Sequence, residues 1–223
     1  MSTQHSKATD ISKSCNLSWQ QKLAARITPH TLAWHCFDSL PSTQSWLQTT
    51  PADIDIFKVC LARQQTAGVG RRGTPWLSPL DHGLWCSVSC LIPTEPQPWS
   101  LMIGRDIATV LKSFGWPIQL KWPNDLLLNQ QKCAGIIIDL NQQQNLQHIT
   151  IGFGLNLYNH PELPATSIAL NSVQPVDAST ILQEILVAIH QRILHPETDW
   201  RDAWQNAVIP TEVHGILGNL AEH

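Results

Sequence analysis

The sequence predicts an α+β fold: a mixed, largely antiparallel sheet packed with helices. Three observations lead there. Several stretches alternate apolar and polar residues with the two-residue period of strands. Those stretches follow one another mostly through loops and turns, not through the long crossovers that parallel strands need. A few segments of helical periodicity lie between them, enough to cover a sheet but not to alternate with every strand.

The elements follow in chain order. Residues 1–30 form a polar N-terminal arm, disordered at first, with a short amphipathic helix over 16–27. TLAWHCFDSL (31–40) is a strand running to Pro41. Ser42 then N-caps the helix STQSWLQTT. FKVCLARQQ (57–65) and HGLWCSVSCLIP (82–93) are strands, the second with Leu84, Cys86, Val88 and Cys90 on one face. Ser100 is the expected cap of a helix reaching Phe114, with Ile103, Ile107, Val110, Leu111 and Phe114 as its apolar stripe and Gly115 as its stop. In the strand PIQLKW (117–122), alternation lets Lys121 point into a cleft while Leu120 and Trp122 anchor the opposite face. PNDLLLNQQ carries a turn, KCAGIIIDL (132–140) is a strand, NQQQNLQ (141–147) a polar hairpin loop and HITIGFGLNL (148–157) a strand. A Pro-rich connection leads to a helix over 179–194, and TDWRDAWQNAV forms one more. The main domain therefore spans 31–195, and 196–223 is a C-terminal tail or helix.

Composition narrows the function classes. The chain of 223 residues is 43% apolar, enough for one core, and its net charge of −3 opposes general nucleic-acid binding. Residues 58–132 hold eight of the fourteen Lys and Arg against four acids, which suggests a local anion site. The six cysteines show no ligand spacing and read as buried free thiols of a reducing cytoplasm. No apolar run is long enough for a membrane span, and the N-terminus is not a signal peptide.

The stretch TAGVGRRGTPW (66–76) contains Gly68, Gly70 and Gly73 in the spacing of a dinucleotide fingerprint. Only TPWLSPLD separates Gly73 from the next strand, and its two prolines oppose the required helix. A P-loop fails as well, because Thr74 stands where its lysine belongs. What remains is a glycine loop between strands whose positive charge comes from Arg71 and Arg72, forks suited to phosphate or carboxylate. A solvated surface hairpin is the alternative.

Four segments decide between these: PSTQSWL (41–47), QTAGVGRRGTPW (65–76), LKWPNDLLLNQQKCAGIII (120–138) and IGFGLNL (151–157). In order and spacing they resemble the biotin–protein ligases, over roughly residues 31–195. The resemblance implies the catalytic fold shared by class II aminoacyl-tRNA synthetases and biotin ligases. It implies ATP-dependent attachment of biotin, through biotinyl-5′-AMP, to a lysine of the biotin carboxyl carrier protein of acetyl-CoA carboxylase. Both nucleophiles belong to substrates, so the enzyme's task is to hold anions together and stabilise charge at phosphorus. Mg²⁺ is expected with ATP and no protein metal site is expected.

The resemblance also distributes roles. Lys121 neutralises the biotin carboxylate and the reacting phosphate. Arg71 closes over biotin and the acyl-phosphate, and Arg72 supports that loop. Ser42, Thr43, Gln44 and Gln65 bind the polar end of biotin, with Gly68, Gly70 and Gly135 allowing close backbone approach; Ser42 also fits an N-cap and Gly135 a bulge. Trp76 packs near the adenine or in the core. Asn124 and Asp125 form a turn or position ATP and Mg²⁺, and Asn156 binds nucleotide or ends a strand. Val69, Thr74 and Gln44 depart from the common Arg, Arg and Asn of the motifs, which weakens the expected grip on phosphate. The short N-terminal arm implies a monofunctional form without a DNA-binding domain, and the usual C-terminal β-barrel is not evident. An exposed sheet edge leaves a homodimer open. A lipoate-type ligase or acyltransferase on the same fold, and a non-catalytic biotin-binding regulator, are the competing readings.

Overall fold

The computed structural model describes residues 17–158 and 177–196. The expected helix at 198–208, the C-terminal tail and the first residues of the arm lie outside them. Within them the elements are α1 (Leu17–Ala24), β1 (Thr31–Leu40), α2 (Thr43–Gln48), β2 (Ile56–Gln65), β3 (Gly83–Pro93), α3 (Trp99–Ser113), β4 (Ile118–Lys121), β5 (Asp125–Leu128), β6 (Gln131–Gln143), β7 (Leu146–Asn156) and α4 (Ala178–Leu194).

The expected fold class holds. Seven strands form one sheet in the order β1-β2-β3-β7-β6-β5-β4. Only β1 and β2 pair parallel, across the α2 crossover; the other pairs are antiparallel. Alternation then gives the sheet two unlike faces. On one, Val59, Leu61, Val88, Ile136, Ile151 and Phe153 join Ile103, Ile107 and Leu111 of α3 and Ile185 and Ile189 of α4 in the main core. On the other, a small cluster of Leu40, Leu47, Cys60 and Ala62 seats α2.

Several local expectations need correction. Helix α3 is N-capped by Pro98, not Ser100. The Ser100 hydroxyl instead donates to the Pro123 carbonyl at 3.1 Å, tying α3 to the turn after β4. Phe114 does not belong to the buried stripe: it is the C-cap, 37% exposed and stacked on Trp116. Trp122 does not anchor the sheet, because β4 ends at Lys121 and alternation no longer governs it; it is 44% exposed. PNDLLLNQQ is more than a turn. Leu126 to Leu128 lie in β5, with a register shift at Leu126/Leu127, between a turn at Pro123 and Asn124 and a second at Asn129 and Gln130, the latter two in the left-handed region. The supposed loop 141–147 is mostly sheet, since pairing continues to Gln143 opposite Leu146. Four cysteines are buried free thiols as expected, but Cys36 is disulfide-bonded.

Candidate active site

On the α2 face the sheet carries a cavity of about 300 Å³. Its floor is made by the absence of side chains. Gly135 of β6 and Gly154 of β7 are register partners, and the Trp76 ring lies against both. A Cβ on Gly154 would stand 2.3 Å from Trp76 Nε1, and one on Gly135 would stand 3.0 Å from its ring carbons. Gly135 is therefore a close-approach glycine rather than a bulge; the irregularity lies one pair away.

The inner end is polar and uncharged. Ser42 N-caps α2, accepting from Ser45 N at 3.3 Å, and is itself buried at the cavity wall. Gln65 Oε1 accepts from both the amide (2.9 Å) and the hydroxyl (3.1 Å) of Thr43, while its Nε2 donates to Ser78. The Thr43 hydroxyl proton is thus spent, so in the 2.8 Å contact between Thr43 and Ser87 it is Ser87 that donates. Gln44 completes this end, 3% exposed.

The outer end is charged. The loop closes on itself through a single 3₁₀ turn, Arg71–Gly73, with Arg72 in the left-handed region at φ 55°. Gly70 N donates to Thr74 O at 2.7 Å, and both Thr74 N and its hydroxyl donate to Arg71 O, at 3.1 and 2.9 Å. Thr74 thus fastens the loop by hydrogen bonds at a position where the motif commonly has a cation. Arg71 reaches across to Asn124 Oδ1 at 3.3 Å. Asn124 is itself held to β6, donating from its side chain to Ile136 O and accepting from Ile136 N. Lys132 pairs with Asp125 at 2.7 Å and lies 5.0 Å from the Trp76 ring centroid, a cation–π contact.

Ser42, Thr43, Gln44, Gln65, Gly70, Arg71, Trp76, Asn124, Asp125 and Gly135 therefore meet around one cavity. Four expected residues do not line it. Gly68 sits at the loop's neck, where Trp76 N donates to its carbonyl at 2.8 Å. Arg72 is exposed, Asn156 is buried at the end of β7 opposite Gly83, and Lys121 is exposed at the end of β4 in register with Asp125. Ser87, Lys132, Gly152 and Gly154 line the cavity without having been assigned a role from the sequence. The glycines and the lysine stand inside quoted motifs; Ser87 had only its place on the polar side of an alternating strand.

A model of the biotin/lipoate A/B protein ligase family matches residues 34–156, more than half of the chain. The chain belongs to that family. This family member is 35% identical over 123 residues to the bifunctional ligase/repressor BirA of Escherichia coli, a match covering 53% of this chain and 38% of that protein. It is 31% identical over 163 residues to a biotin–[acetyl-CoA-carboxylase] ligase of Mycobacterium tuberculosis, covering 68% of this chain and 58% of that one. The matched region thus falls short of two thirds of these relatives. The fold resembles a biotin protein ligase of Aquifex aeolicus solved with biotin and ATP, with TM-score 0.63 and 23% identity over 80% of this chain and 78% of that one.

Proposed function

We propose that the protein activates biotin with ATP and transfers it to a lysine of a biotin carboxyl carrier domain. The observation that carries this reading is the division of the cavity. Thr43, Gln44, Gln65 and Ser87 give its inner end uncharged hydrogen-bonding groups, while Arg71, Lys132 and Asn124 stand at its outer end. A neutral ureido ring suits the first, and a carboxylate meeting a phosphate suits the second. The dithiolane of lipoate offers no N–H donor and would leave the buried Gln44 Oε1 unpaired, at about 1–3 kcal/mol. The name of the Mycobacterium relative supports the same choice.

The chemistry needs no protein nucleophile. The biotin carboxylate oxygen attacks the α-phosphorus of ATP, the bond to the β-phosphate oxygen breaks, and pyrophosphate leaves. The carrier lysine amine then attacks the acyl carbon; AMP leaves and the amine loses a proton. Arg71 supplies charge to the phosphoryl oxygens and covers the mixed anhydride. Lys121, opposite Asp125 at the rim, reaches the carboxylate with its flexible four-carbon stem. Trp76 offers its ring to the adenine. Asp125 is the carboxylate of the cavity lining and is engaged by Lys132, so magnesium enters with the phosphates of ATP as part of that substrate. No described helix is long and apolar enough to cross a membrane, and a cytoplasmic acceptor fits the reading.

The test is incubation with labelled ATP and biotin or lipoate, with and without a carrier domain. Pyrophosphate release and carrier labelling with biotin alone are expected. Labelling with lipoate instead would move the protein to the lipoate branch, and tight biotin binding without pyrophosphate would make it a binding protein. Lys121→Ala is expected to abolish adenylation. Arg71→Gly is expected to release biotinyl-AMP and label bystander lysines; unchanged adenylate retention would remove Arg71 from that role.

A further inference from the structure

One side chain of the cavity floor is held from behind by a residue outside the motif segments. Gln44 Nε2 donates to Asp139 Oδ2 at 2.7 Å and to the Thr150 carbonyl at 3.0 Å. A carboxylate and a carbonyl only accept, so the NH₂ end of the amide must face them; the flipped amide would set oxygen against oxygen. Gln48, one turn further along α2, donates to the same Asp139 oxygen at 2.6 Å. Asp139 thus straps both glutamines of the helix to β6.

The other end of the amide is thereby fixed. Gln44 Oε1 is buried and has no hydrogen-bond partner. It lies 2.5 Å from the point where a Cβ on Gly152 would stand, and Ser87 Oγ lies 3.1 Å from that point, so only glycine fits between them. The Ser87 proton is committed to Thr43. Around Gly152 these two side chains present oxygen lone pairs and no spare donor; the unpaired donor of the cavity, Trp76 Nε1, lies over Gly154 instead.

A buried acceptor without a donor is costly unless a ligand supplies one. We propose that Asp139 is a positioning residue that locks Gln44 as an acceptor, and that Gln44 Oε1 selects a ligand ring carrying an N–H donor. The inference rests on the biotin reading above, because a ureido ring is such a donor. Asp139 does not touch the ligand; it acts by forbidding the amide flip.

The test compares binding of biotin with an analogue whose ureido N–H groups are replaced by ring oxygens, which adds no bulk. The full chain is expected to prefer biotin by about 100-fold, since a site built to receive N–H donors rejects a ligand lacking them. Asp139→Ala is expected to cut that preference to about tenfold or less while leaving the KM for ATP unchanged, and Asp139→Asn, whose amide oxygen still accepts, is expected to restore most of it. Should Asp139→Ala fail to fold, Gln44→Met removes the acceptor at nearly constant shape and is expected to lose the same preference. A preference unaltered in Asp139→Ala or in Gln44→Met overturns this inference alone. Failure of the unsubstituted chain to bind biotin overturns the ligase reading itself, and this inference with it.

Discussion

The two faces of the sheet are cut from the same strands and have opposite chemistry. Along β7, Ile149, Ile151, Phe153 and Leu155 enter the core under α3 and α4, each at most 4% exposed. The alternate residues are His148, Thr150, Gly152 and Gly154, on the side of α2 and the cavity. The first face stabilises by filling space. The second makes room by withholding side chains, and it buries Gln44 Oε1, Ser89 Oγ, Thr150 Oγ1 and His148 Nε2 without partners. Burying such groups costs about 1–3 kcal/mol each, which the packed face must offset. Binding and stability are thus assigned to opposite sides of single strands, two residues apart in period.

Substitutions sharpen or break that division. The largest effect is expected on the packed side. Arg192 is 9% exposed, and Asp106 accepts from its Nε at 2.6 Å and from its Nη2 at 2.9 Å. Asp106→Ala removes both of these charge-assisted hydrogen bonds and is expected to cost about 3 kcal/mol by denaturant titration. Adenylation measured well below the melting temperature should be nearly normal; a large loss of turnover there would show that the faces are coupled.

Next comes the binding side. Gly154→Val drives a methyl into the Trp76 ring and misplaces the pocket wall, with an expected loss of about 100-fold in kcat/KM. The melting temperature should fall by only a few degrees, and collapse of the fold would contradict the division.

A third test concerns His190, a histidine on the packed side. It is fully buried against His30 at 3.0 Å, and burial first, then the neighbouring His30, holds it down at about 4 against an ordinary 6.5. The unfolded chain takes up this proton near 6.5 and the folded chain only near 4. Its contribution to stability is therefore complete above about 6.5 and declines as pH falls to about 4, with a slope approaching about 1.4 kcal/mol per pH unit. His190→Leu should flatten that part of the profile relative to the unsubstituted chain; superimposable profiles would disprove the assignment.

The smallest effect is expected at Thr74. Thr74→Val removes one exposed hydrogen bond to Arg71 O, worth under about 1 kcal/mol. Stability should hold, while adenylate release should quicken two- to fivefold, roughly the weight of that bond.

How much of this was legible follows from what a sequence pattern encodes. The Gly and Arg loop, Thr43, Gln65 and Asn124 stand in compact motifs, and the fold brings them together around one cavity. Lys121 was aimed at the cleft by alternation, but alternation gives a side and not a depth, and β4 is a four-residue edge strand whose end faces solvent. β5 was hidden because Leu126, Leu127 and Leu128 are consecutive and the register shifts among them. The Gln-rich segment 141–147 reads as loop by composition, yet backbone pairing carries it as sheet. Asp139 had no signal at all. Its role depends on which residue of α2 lies over which pair of β6 and β7, and local spacing contains no such information.

The strand order has a consequence for how the protein is made. Among the described strands, β7 comes last in sequence and is the one that joins β3 to β6. Until it inserts, the early strands β1–β3 and the late strands β4–β6 share no sheet pairing, and the cavity floor lacks Gly152 and Gly154. During synthesis the pocket therefore cannot be complete before β7 has left the ribosome, and β3 and β6 must wait with open edges. Closure of the sheet and completion of the pocket are then the same event, so a chain that has not finished folding has nothing with which to capture its substrate.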